Sequence, residues 1–255
     1  METKLLFLLL LACVAYTVGQ DSSDSSDSSD SNDNSSSSGS GSGEDNDYSY
    51  PCSLDDLDCI RDYFAQSGMC TKVSHQDGKS IQRPKLVGFL PSFNSSYTCL
   101  DNTITFDGSK IESFYVNKRS NNLVMTIYFD GCSVYTERLQ LAIHVRGREN
   151  VLVEDYVNIT YTAALTGIFP KAGLNGLIGA AVSSYNINPS PPLELGAKIS
   201  ESSNEVVSNW YNALENDIST GVNELLLTEG PFLYSLYIQT YICNYGVEHT
   251  GDLIL

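Results

Sequence analysis

Apolar and polar residues alternate with period two through the middle of the chain. Leu123, Met125, Ile127 and Phe129 interleave with Val124, Thr126 and Tyr128. Leu139, Leu141, Ile143 and Val145 interleave with Arg138, Gln140, Ala142 and His144, and Val157, Ile159 and Tyr161 with Asn158, Thr160 and Thr162. Such runs predict half-buried antiparallel strands. Asp107-Gly108, Asn121-Asn122, Asp130-Gly131 and Gly147 supply turn chemistry between them. Two stretches carry helical spacing instead. Leu54, Leu57, Ile60, Tyr63 and Phe64 predict an early helix, with Ser53 as N-cap, Asp56 as its capping-box partner and Gly68 as a stop. Val207, Trp210, Tyr211, Leu214, Ile218, Val222, Leu225 and Leu226 predict one long helix over about 201–227, ended by Gly230-Pro231. Phe232 to Cys243 reads as a last, imperfectly alternating strand. Gly173, Gly176 and Gly179 read as a flat strand or a loop, and Asn188 to Pro192 as a break.

The N-terminus sets the expected compartment. A short n-region with Lys4 precedes the apolar run Leu5 to Ala15, and Thr17 and Gly19 form a cleavage context. Residues 1–19 therefore predict a secretory signal peptide, too short for a membrane span. No later stretch is long and apolar enough to span. The nearest, Ala163 to Val182, is broken by Pro170, Lys171, Asn175 and four glycines. Residues 20–47 are almost wholly Ser, Asp, Asn, Gly and Glu, with an Asp-Ser-Ser repeat. They predict a disordered, self-repelling leader with nothing to bury. Weak calcium binding by its spaced carboxylates is the sharper alternative. The leader's eight acids carry close to half of the formal net charge of −17. So acidic a chain lacks the basic footprint that nucleic acid needs.

In an oxidising compartment the six cysteines beyond Cys13 change meaning. Cys52, Cys59, Cys70, Cys99, Cys132 and Cys243 suggest three disulfides, with 15 pairings open. No CxxC occurs and no histidine sits at ligand spacing, so no metal site is expected. Nucleophile-elbow, zincin and phosphate-loop motifs are absent. His75, His144 and His249 read as solvated histidines. No catalytic residue and no cofactor is expected. Asn34, Asn94 and Asn158 begin Asn-x-Ser/Thr sequons and are glycosylation candidates.

The run Pro51-Cys52-Ser53-Leu54-Asp55-Asp56-Leu57-Asp58-Cys59-Ile60, with Cys70 following, closely resembles the fibrohexamerin family, the fibroin-associated glycoproteins of moth silk. Pro91 to Tyr97, Ile187-Asn188-Pro189 and Asp252 to Leu255 are similar to further family segments, so the resemblance spans residues 48–255. The Asp-Ser-Ser leader is not part of that pattern. The resemblance implies a non-enzymatic protein that associates non-covalently with fibroin heavy and light chains, in the silk gland lumen and in silk, and keeps them soluble. The cysteine pair before a helix, the long strands and the late helix also resemble the insect juvenile-hormone-binding and takeout group. That likeness implies an α+β domain, a long curved antiparallel sheet wrapped around one long helix. It also implies a competing role, carriage of a small apolar ligand in a tunnel beside Val207, Trp210, Tyr211, Leu214, Ile218 and Val222.

Overall fold

The computed structural model describes residues 47–66, 70–73, 80–170, 181–186 and 193–244. The signal peptide, the leader with Asn34, Gly68, His75, the three spaced glycines, Ile187 to Pro192, His249 and the C-terminal Asp252 to Leu255 lie outside the described residues.

Two long strands organise the sheet. β6 (Asn122–Ile143) and β7 (Val151–Phe169) pair antiparallel from Leu123↔Phe169 to Ile143↔Val151. The other edge of β6 carries two strands end to end. Its N-terminal part pairs β5 (Lys110–Asn117), and its C-terminal part pairs β4 (Ser95–Thr105). β3 (Ile81–Leu90) lies outside β4, and the two-residue β1 (Tyr48–Ser49) outside β5. Beyond β7 come β8 (Ala181–Asn186) and β9 (Leu193–Leu195). β2 (Thr71–Lys72) and β10 (Cys243–Asn244) form a separate small ribbon. The alternation seen in the sequence is the alternation of burial: Leu123, Met125, Ile127 and Phe129 are wholly buried, and their neighbours are half-exposed.

Asp130-Gly131 does not end a strand, as turn chemistry alone predicted. β6 runs through it with a register shift between Asp130 and Cys132. Gly131 takes φ +91, which admits a one-residue bulge where other residues are strained. The facing Asp107-Gly108 is the matching excursion between β4 and β5, with Gly108 at φ +71. A second shift follows at Thr136/Leu139, opposite Asp101 at φ +60. Bulges bend and twist the strands that carry them, so these sites curve the sheet.

The second bulge is held from inside. Asn102 is fully buried, and its amide donates to the Cys99 and Arg83 carbonyls, both at 3.1 Å. Its Oδ1 accepts from the Thr136 hydroxyl at 2.7 Å. Asn102→Leu is expected to cost about 3 kcal/mol, since it strands buried polar partners. Urea unfolding of the variant against wild type measures this.

Helices cover the buried face of the sheet. α1 (Leu57–Ala65) is capped by Asp56, whose side chain accepts from the Cys59 amide at 2.9 Å, rather than by Ser53. The Cys52–Cys59 disulfide closes the intervening residues into a turn and so displaces the cap. The expected single helix over 201–227 is two helices, with a short one before them. α2 (Ala197–Ser200) precedes α3 (Glu205–Asn216), and α4 spans Ile218–Tyr237. Asp217, at φ −139 and ψ 54, ends α3 and caps α4 by accepting from the Thr220 amide. Aspartate competes well for backbone donors there, so capping wins over continuity. Gly230-Pro231 does not stop α4. Proline frees the carbonyl one turn earlier, that of Leu227, and Leu227 is 72% exposed, on the solvent side. Phe232 to Ile242, read as a strand, completes α4 and a five-residue π-helix (Ile238–Ile242). Leu233, Tyr234, Leu236, Tyr237 and Ile238 are all buried there, so this segment is apolar around its circumference and carries no period to read. Among the described residues, no helix is long and apolar enough to cross a membrane.

Candidate functional site

Inward-facing residues of β3, β4, β6, β7 and β9 meet α3 and α4 in the domain interior. Trp210 and Leu214 of α3, and Val222, Leu225 and Glu229 of α4, face Tyr97, Val134, Leu141, Ile159 and Tyr161 around a cavity of about 60 Å³. Of the expected groove residues, Trp210, Leu214 and Val222 line it. Val207 is buried in the core beside it, while Tyr211 and Ile218 are half-exposed and pack on the core. This cavity has room for a few waters and is well below the ~300 Å³ of small-molecule sites.

The polar contacts in this interior are few. Trp210 Nε1 donates to Ser95 Oγ at 3.0 Å and fixes α3 on the start of β4. Tyr97 Oη donates to Glu229 Oε1 at 2.8 Å, and Tyr161 Oη to Oε2 at 3.3 Å. Glu229 is 7% exposed, and burial pushes its carboxyl above the ordinary range while the two phenols pull it back. Burial, and then the adjacent carboxylate, push Tyr97 and Tyr161 far up. Sequence reasoning missed Glu229 because a helical glutamate usually faces solvent. The signal was its spacing: Val222, Leu226, Glu229 and Leu233 follow one apolar helix face.

The cysteines divide two ways. Cys52–Cys59 and Cys70–Cys243 are disulfides. Cys99 and Cys132, expected to complete a third, are free and buried. The register explains why. Cys99 faces Leu139, seven positions along β6 from Cys132, on the order of 20 Å at strand rise, and a disulfide requires Cα atoms within about 7 Å. Burial raises the Cys99 thiol to about 12 and Cys132 still further.

Outside, Phe89, Ser96, Ala142 and Leu152 lie in one cross-strand row of β3, β4, β6 and β7. Phe89 and Leu152 are 55% and 76% exposed, with small residues between them. Beside Leu152 the sheet face forms a shallow groove of about 430 Å³ with Ser96, Thr98, Gln140 and Ala142. His144 borders this end of the sheet, exposed, its Nε2 3.1 Å from Ser96 Oγ. Asn94 is exposed in the left-handed region at the end of a 3₁₀ turn. Asn158 points away from the apolar side, as expected, but is half-buried with Oδ1 3.4 Å from Ser133 Oγ. Among the described residues no group of three or more His, Cys, Asp or Glu is arranged to hold a metal.

Comparison with known proteins agrees with the N-terminal cysteine pattern. Residues 48–194 match the family described as Fibroin P25. Fibrohexamerin of Galleria mellonella is 23% identical over 219 residues, covering 81% of this chain and 93% of that protein. Among solved structures, Takeout 1 of Epiphyas postvittana aligns with a TM-score of 0.36 at 10% identity, over 73% of this chain and 95% of that one.

Proposed function

The chain belongs to the fibroin P25 family of silk-associated proteins, and we propose that it is a secreted partner that binds fibroin heavy and light chains non-covalently and keeps them soluble. The state of the cysteines carries this reading. Four of the six in residues 48–255 are closed on each other within the chain. The other two are enclosed, and their thiols stay protonated at neutral pH, which leaves them poor nucleophiles for exchange. The domain thus offers no cysteine for a covalent bond to a partner. The row from Phe89 to Leu152 is the proposed contact, two apolar walls with a floor of small side chains that an extended apolar segment can occupy. Secretion by residues 1–19, a solubilising role for the acidic leader, and glycosylation at exposed Asn94 belong to the same reading. A hydrated, charged surface resists self-association.

Fractionation of native silk protein tests it. The chain should co-migrate with high-mass material and be released by denaturant without reductant. A paired Phe89→Glu, Leu152→Glu variant should fold and shift mainly to the free fraction. Release that requires reductant, or free monomer throughout in wild type, overturns the reading.

A further inference from the structure

The cavity under α4 has one feature that neither packing nor partner binding accounts for. Its lining is aliphatic or aromatic apart from Thr136, the Cys99 thiol, two phenols and the Glu229 carboxyl. A carboxylate in such a place must be paired or lose its charge. No cation faces it. From β4 it meets Tyr97 and Cys99, from β7 Tyr161, and from β6 Cys132. From α3 come Trp210 and Leu214, and from β3 Leu90. β8, on which α4 also packs, has the sequence AVSSYN, with no charged residue. On α4 itself, Glu224 points elsewhere, accepting from the Ser92 amide and hydroxyl. Among the described residues, two phenol donors, one of them long, are its compensation.

We propose that Glu229 is a proton-operated latch: protonated, it seats α4 on the sheet through Tyr97 and Tyr161, and on ionisation it admits water to the cavity and loosens the helix. The neutral carboxyl fits the site. One oxygen accepts from Tyr97, and the other, 3.3 Å from the Tyr161 hydroxyl, carries the proton, so the pocket holds no buried charge. Ionisation leaves a net charge among Leu141, Ile159 and Trp210, and the two phenols offset only part of its desolvation. The cavity already has room for the first waters to solvate it.

The direction follows from linkage. A carboxyl raised by burial in the fold binds its proton more tightly there than in the unfolded chain. The stability it contributes is fully present below the unfolded value, about 4.3, and is lost as pH rises through the folded value. Most carboxylates act in the opposite sense, so Glu229 should be visible against them.

The test uses the full mature chain with its disulfides intact. Wild type and Glu229→Gln are unfolded in urea between pH 4 and 8. The folding equilibrium constant of wild type relative to the variant should fall by up to tenfold per pH unit above the unfolded value, then level off. A ratio constant across this range overturns the latch. Should the variant fail to fold, two measurements on wild type decide. The carboxyl carbon of Glu229 is titrated by NMR, and hydrogen exchange of the α4 amides is followed over the same range. The latch requires a midpoint above the ordinary glutamate range, with α4 protection falling through it while β6 and β7 remain protected. An ordinary midpoint, or a raised one with unchanged α4 protection, overturns it.

Discussion

Removing the Cys70–Cys243 disulfide, as Cys70→Ser with Cys243→Ser, is expected to destabilise the domain by about 5 kcal/mol in the chain-entropy account. The bond links residues 173 apart in sequence, so it withholds an unusually large loop from the unfolded ensemble. Cys52–Cys59 spans only seven, and the same relation gives roughly 2.5 kcal/mol for its loss. Marginal domains hold about 5–15 kcal/mol in all, so the first change threatens the fold and the second does not. The location adds to the difference. Cys70 and Cys243 anchor the β2–β10 ribbon, at the point where the π-helix leaves the core. Cys52–Cys59 shapes only the entry to α1. Urea unfolding of both double variants without reductant checks the order. Equal losses would show that the unfolded chain retains structure near Cys70 and Cys243.

Gly167→Val is expected to cost about 3 kcal/mol, at the upper end for overpacking. Gly167 pairs Met125 on β6, and the ring of Tyr234 from α4 lies over it. A Cβ at this position collides with Tyr234 Oη, Cζ and Cε1. That ring is not free to yield: it is 1% exposed, packs 6.1 Å from Phe169 and donates to the Met125 carbonyl at 2.9 Å. The substitution must displace α4 or break that bond. Tyr234→Ala in the Gly167→Val background should recover part of the loss, because the two sites are in contact and their effects do not add. Thermal denaturation of the four proteins of that cycle measures the coupling. Simple additivity would place the cost of Gly167→Val elsewhere.

Much of the sheet was legible because burial and period coincide. The inward set of β6 is three alternating runs separated by its two bulges, and a one-residue slip would expose the run it moves. What alternation does not encode is long range. Asp-Gly signals a turn, yet the same φ serves a bulge when a partner strand continues opposite, as β7 does past Asp130. The late helix misled for a related reason. Asp217 is a good cap inside a good helical pattern, and only packing decides whether the chain bends there. The segment from Phe232 is apolar on all sides, so neither period is visible. Pairing of the cysteines depends on register across strands distant in sequence, which leaves Cys99 and Cys132 indistinguishable from the bonded four when only spacing is known. Glu229 was missed although its helix face was readable.

The Cys70–Cys243 bond also decides how the domain carries load. A pull applied between the leader and the C-terminal residues passes covalently through that sulfur bridge instead of along β3 to β9. The strands from β3 to β9 and all of α4 lie inside the covalent loop, and the pull reaches them only through the contacts that β1 and α1 make with the sheet. The loop withholds roughly 600 Å of contour length, at about 3.5 Å per residue, from any extension. While the bridge is closed, extension can draw out only the chain outside the loop, β1 and α1 included, and the segment from Cys70 to Cys243 stays a closed ring.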